Sequence, residues 1–151
     1  MPQSLSAVYI HAVFSTKERA RFLRDPSLRG EMHSILGGIS RRLNCPSIIA
    51  GGIDDHIHHL IRLSRTITQA DWIKEIKRAS SLWIKQREPR LCKFSWQAGY
   101  GMFSVNPSDL DSVRRYIASQ EEHHRKISFQ DEFRMLLRQH GLEWDERYVW
   151  D

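Results

Sequence analysis

Two runs rich in β-branched residues stand almost end to end in the middle of the chain, CPSIIAGG (45–52) and HIHHLIRL (56–63). Only Ile53, Asp54 and Asp55 lie between them. A link that short joins antiparallel neighbours, because a parallel crossover needs about a dozen residues or more. The chain is thereby committed to a central hairpin, and every other element has to be arranged around it.

The remaining periodicities supply those elements. AVYIHAVFS (7–15) reads as a strand, and KERARF (17–22) as a basic loop. A helix is expected from Pro26 to Leu43, with Asp25 at its N-cap and Pro26 in the first helical position. Residues 66–88 read as a long helix stopped before Pro89, and FSWQAGYGMFSV (94–105) as a strand or short hairpin. Residues 106–124 form a further helix capped by Ser108 or Asp109, and residues 129–141 a last one ending at Gly141. This order implies a single α+β domain over residues 1–151, a ferredoxin-like sandwich with an antiparallel sheet and helices on one face.

Composition narrows the class. With 40% hydrophobic residues the chain can build a core. No run approaches the roughly 18 apolar residues of a membrane span, and MPQSLSAVYIHAVFS lacks the parts of a secretory signal. Cys45 and Cys92 are isolated and are read as buried thiols of a cytoplasmic protein. The net charge of +5 is concentrated: nine Lys or Arg oppose three acids between Arg62 and Lys93. On the long helix, Trp72, Ile76, Ala79 and Trp83 form an apolar stripe, with Lys74, Lys77, Arg78, Ser81 and Lys85 opposite. That basic stripe is either a solvated face or a track for successive phosphates.

The same hairpin carries an unusual load of imidazole. His56 and His58 alternate along the third strand and so share a face, roughly 7 Å apart, where their rings can converge on one ion. Ile57 and Ile61 point into the core, and His59 has their parity, so His59 is not a ligand by this geometry. A pair of strand histidines is half a site. Tyr116 and Gln120 are four apart on a helix and border the apolar positions Leu110, Val113 and Ile117. Gln120 offers a carbonyl oxygen and Tyr116 a phenol, unless the tyrosine simply packs at the helix–sheet boundary.

The pattern HIH after GGIDD, with YIASQ on a later helix, resembles the single-tyrosine HUH (His, hydrophobic, His) transposases of small bacterial insertion sequences, including the repeat-associated tyrosine transposases. The resemblance runs from HAVFSTKERARFL (11–23) to HGLEWDERYVW (140–150). It implies a DNA transposase that binds single-stranded DNA with hairpin ends. Tyr116 would cleave and rejoin strands through a 5′-phosphotyrosine. His56, His58 and Gln120 would hold one Mg²⁺ or Mn²⁺. Lys74, Lys77, Arg78 and Lys85 would contact the DNA backbone, with Lys17, Arg19 and Arg21 as a second patch. A homodimer is expected because two DNA ends are processed together; whether the histidines and tyrosine of one site come from one chain or two is open. His59 departs from the family pattern, where an aliphatic residue is usual.

Two rivals remain. One is a non-catalytic single-stranded nucleic-acid-binding module of the same fold; the other is a metal-dependent nuclease that uses water. His11 is read as a structural strand histidine, His123 and His124 as surface residues, and LEWDERYVW (142–150) as a docked tail.

Overall fold

The computed structural model describes residues 2–151. Strands β1 (Tyr9–Ser15), β2 (Ser47–Gly52), β3 (His56–Arg62) and β4 (Gly101–Val105) form one antiparallel sheet in the order β2-β3-β1-β4. The central hairpin is β2 and β3, with Gly51 opposite His58 and Gly52 opposite Ile57. Gly52 has φ +148°, and a Cβ there would lie 2.1 Å from the carbonyl oxygen of His56, so only glycine can make this turn.

Helix α1 (Pro26–Arg42) starts where Asp25 accepts a hydrogen bond from the Ser27 amide. Helix α2 (Gln69–Arg87) starts where Thr68 accepts from the Asp71 amide. Both pack on one face of the sheet, where Ala12, Phe14, Ile57 and Ile61 meet Met32, Leu36, Trp72 and Ile76 in the main core. The buried stripe of α2 is Trp72, Ile73, Ile76, Ser80 and Ile84, with Ala79 and Trp83 only partly covered. Ser80 sits in that stripe because its hydroxyl donates to the Ile76 carbonyl and accepts from the Trp96 indole.

This is the expected α+β architecture, and α1 with α2 is its expected helical layer. The C-terminal helices add a second layer. Helices α3 (Leu110–Ala118), α4 (Gln120–His123) and α5 (Phe129–Gln139) return across the opposite face. The reason lies in the strands: Val13 and Phe103 point away from the main core and need cover, which Phe129, Phe133, Leu136 and Leu137 provide. Close approach of α3 and α5 depends on missing side chains in the sheet. A Cβ on Gly51 would come within 2.8 Å of Ile117, and one on Gly101 within 2.6 Å of the Phe133 ring.

Three local expectations are corrected. The helix foreseen over 106–124 divides at Ser119, whose φ −101° and ψ 20° leave the helical basin. Its start is capped by Asn106, which accepts from the Ser108 amide, whereas Asp109 makes no capping bond. Cys45 is buried as expected, but Cys92 is exposed. The tail docks as foreseen: Trp150 lies 6.0 Å from the Phe133 ring, with the Arg134 guanidinium 5.0 Å from its centroid. Among the described residues no helix is long and apolar enough to cross a membrane.

Candidate active site

His56 and His58 project from β3 on the side of the sheet that α3 to α5 cover, and both are fully buried. Their ring centroids are 5.1 Å apart. His59 points the other way. Its Nε2 lies 2.9 Å from Ser47 Oγ and its ring 5.4 Å from Trp72, so it belongs to the main core as its parity requires.

The structure brings the second half of the site to this pair within one chain. Gln120, the first residue of α4, is buried and places Oε1 2.9 Å from His56 Nε2. Tyr116 on α3 packs its ring 5.7 Å from that of His58. The break at Ser119 therefore leaves Tyr116 and Gln120 at one site.

Three further residues complete the cluster. Glu132 on α5 is fully buried at its centre: His58 Nε2 lies 2.9 Å from Oε1, His124 Nε2 3.0 Å from Oε1, and the Gln120 amide donates to Oε2 at 3.0 Å. The Tyr116 hydroxyl also donates to Glu132 Oε2. The His124 side chain turns into the site rather than to the surface, with only 3% of it exposed. His11, read as structural, does support the site, its Nε2 lying 2.7 Å from His58 Nδ1. His123 is 29% exposed and stands 3.4 Å from Glu132 Oε2 without hydrogen-bond geometry.

A signal for Glu132 exists in the chain. Phe129, Glu132, Phe133, Leu136 and Leu137 follow the spacing of one helical face, which places an acid in the middle of an apolar stripe. Such a charge is buried only if it is paired.

The electrostatics follow from that burial. Burial alone would raise the Glu132 carboxyl, but hydrogen bonds from His124, His56 and His58 overcome it and hold the group well below the usual carboxylate range. Burial pulls His58 down to about 4. Burial works the same way on His56, yet Asp55 and Glu132 outweigh it and push that ring up to about 9. The Tyr116 phenol is raised above its ordinary value, first by burial and then by the Glu132 charge.

This donor set suits a cation. His56 Nδ1 is 2.8 Å from Asp55 Oδ1, and His124 Nδ1 donates to the Ile127 carbonyl at 2.9 Å. With His58 Nδ1 held 2.7 Å from His11 Nε2, all three rings turn Nε2 toward one volume, in the orientation that outer partners give to metal-binding histidines. Ligand atoms of His56, His58, His124 and Glu132 all lie within 4.8 Å of one another. Such a convergence of ring nitrogens and carboxylate oxygens could hold a metal ion.

Residues 4–120 match the family model described as Transposase IS200 like. The chain belongs to the IS200-like transposase family. Two solved structures share its fold. One, from Deinococcus radiodurans R1 and described as a candidate transposase, is 21% identical with a TM-score of 0.64, over 80% of this chain and 95% of the other. The second, a REP-associated tyrosine transposase bound to a REP hairpin, is 13% identical with a TM-score of 0.59, over 82% of this chain and 72% of the other. A comparison with curated proteins returns no match.

In this member of the IS200-like family the two basic patches have different surroundings. Helix α2 packs on the face opposite the His cluster, so exposed Lys74 and Arg78 and half-buried Lys85 stand across the sheet from it. Arg78 is paired with Glu75. Lys77 is already engaged: its ammonium donates to the carbonyls of Gln97 at 2.9 Å and Gly99 at 2.7 Å. Lys17, Arg19 and Arg21 begin two residues after Ser15, which pairs with His56, and the intervening Thr16 amide donates to the Asp55 carbonyl, so the second patch starts beside the His56 end of β3. Arg19 stacks 5.7 Å from the Trp150 centroid, and Arg21 lies 3.8 Å from Asp54.

Proposed function

We propose that this protein cleaves and rejoins single-stranded DNA at hairpin ends through a 5′-phosphotyrosine on Tyr116. The observation that carries the reading is the single buried hydrogen-bond network that joins Tyr116 and Gln120 to the His56–His58 pair. A water-activating nuclease has no use for a phenol at that position, and a binding module has no use for the histidines. The hairpin is supported by the likeness to a transposase solved with a REP hairpin.

His56 Nε2, His58 Nε2 and Gln120 Oε1 would hold Mg²⁺ or Mn²⁺, with His124 Nε2 as a further nitrogen. When bound, the cation neutralises charge on the non-bridging phosphate oxygens and eases departure of the 3′ oxygen. Tyr116 supplies the nucleophile: its oxygen forms the bond to phosphorus as the bond to the 3′ oxygen breaks, and the phenol proton, handed first to Glu132 Oε2, which accepts it in the hydrogen bond, ends on the departing 3′ oxygen as a free hydroxyl. The resulting ester keeps the phosphodiester free energy, so another 3′-hydroxyl can displace the tyrosine without ATP. Lys17, Arg19 and Arg21 neutralise phosphates of the strand entering the site. Lys74, Arg78 and Lys85 neutralise phosphates on the far side of the sheet, on a hairpin stem or a second DNA end. A homodimer would hold two such ends together.

The decisive assay is a denaturation-resistant protein–DNA adduct. The native protein with Mn²⁺ and hairpin-ended single strands should form it, and Tyr116→Phe should not, while binding the same DNA. Cleavage that persists in folded Tyr116→Phe would instead indicate water as nucleophile. Binding without any cleavage would indicate the non-catalytic module.

A further inference from the structure

We propose that Glu132 is a shared carboxylate, giving Oε1 to the divalent cation and Oε2 to the Tyr116 hydroxyl, so that one side chain sets both ion affinity and nucleophile position. This rests on the metal-dependent tyrosine reading above and assigns a role to a residue outside the expected ligand set.

The two oxygens have different neighbours. Oε1 faces the imidazoles, with His58 Nε2 at 2.9 Å, His124 Nε2 at 3.0 Å and His56 Nε2 at 3.5 Å. Oε2 accepts from the Tyr116 hydroxyl and from the Gln120 amide at 3.0 Å. A carboxylate has about four lone-pair directions, enough for both sets of contacts. Because Gln120 gives its NH₂ to Oε2, its own carbonyl oxygen is turned toward His56 Nε2 at 2.9 Å. Glu132 thus orients an expected ligand, borders three ligand nitrogens and holds the phenol. No other side chain in the cluster touches all of these groups.

Full burial makes this arrangement costly to keep for packing alone. A leucine at position 132 would continue the apolar stripe of Phe129, Phe133 and Leu136 with no charge to compensate. At the convergence of three imidazoles, Oε1 stands where it could join their Nε2 atoms on one cation. The phenol contact explains how Tyr116, only half-buried on a helix that ends two residues later, keeps one position.

Mn²⁺ affinity of the DNA-free protein tests the proposal, read from free-ion electron paramagnetic resonance. Glu132→Gln keeps the shape and removes the charge; affinity should fall about tenfold or more. Tyr116→Phe withdraws a hydrogen-bond donor from the shared carboxylate and makes Oε1 a better ligand, so Mn²⁺ should bind a few-fold tighter. In the double variant that gain should vanish, because the two effects pass through one side chain. Unchanged Mn²⁺ affinity in folded Glu132→Gln would overturn ligation. An equal effect of Tyr116→Phe with and without Glu132 would overturn the sharing. Should Glu132→Gln not fold, Tyr116→Phe decides alone: an affinity equal to that of the native protein refutes the coupling. None of these measurements involves DNA, so they stand apart from the adduct assay. Adduct formation without the expected affinity changes would reject the Glu132 role and leave the phosphotyrosine reading intact.

Discussion

Gly51 and Ile117 meet where no side chain fits between them. A Cβ on Gly51 would lie 2.8 Å from both Cγ2 and the carbonyl oxygen of Ile117, the residue after Tyr116. The sheet thus fixes the height of the helix that carries the nucleophile. Gly51→Ala must push α3 outward, because a backbone oxygen cannot swing aside. We expect a stability loss of about 1–3 kcal/mol and a much larger loss of adduct formation. Thermal unfolding and adduct yield measured together would separate the two; an adduct yield that tracks stability alone would contradict a positioning role.

Since His56, His58 and Tyr116 meet within one chain, sites should not complement between chains. A variant with His56→Ala and His58→Ala, mixed with Tyr116→Phe, should remain inactive after subunit exchange. Restored cleavage would show that α3 crosses to a partner subunit in the cleaving state.

Imidazole-rich sites favour Mn²⁺ over Mg²⁺, which prefers oxygen and retains water. Calorimetry on the DNA-free protein should show Mn²⁺ binding tighter than Mg²⁺ by on the order of tenfold. His124→Ala should weaken Mn²⁺ by a similar factor, about tenfold. Equal affinities, or no effect of His124→Ala, would place the ion away from these nitrogens.

Basic residues on α2 should separate into two kinds. Lys74→Ala, Arg78→Ala and Lys85→Ala together should weaken all single strands alike. They should also flatten the plot of log affinity against log salt, by roughly 0.7 for each phosphate that is no longer neutralised. Lys77→Ala should instead lower the melting temperature and leave that slope alone, because its ammonium holds the carbonyls of residues 97–99. An unchanged slope in the triple variant would mean that the stripe is only a solvated face.

What could be read from the chain alone was whatever local periodicity controls. The alternation of β3 put His56 and His58 on one face and His59 on the other, and the spacing of Tyr116 and Gln120 survived a helix break between them. Non-local partners were hidden. His11 becomes a site residue only because β1 is the neighbour of β3, with Val13 opposite His58. Lys77 looks solvated by helical phase, and only the path of residues 97–99 over it reveals its carbonyl contacts. Asn106 captured the cap because a short 3-10 turn precedes α3, which shifts the start of the helix. Glu132 was legible in principle, as an acid on an apolar face, but its partners lie on three other segments.

The second helical layer also changes what counts as the working unit. The match to the family ends at Gln120, yet His124, Glu132 and most of the second core follow it. A chain shortened to the shared portion would retain the histidine pair, the tyrosine and the glutamine, and still be left with an open wound: Val13, His58 and Phe103 would face water. Residues 121–151 are therefore the lid that turns a surface motif into a buried one, and exchange of parts between relatives should succeed only when motif and lid travel together.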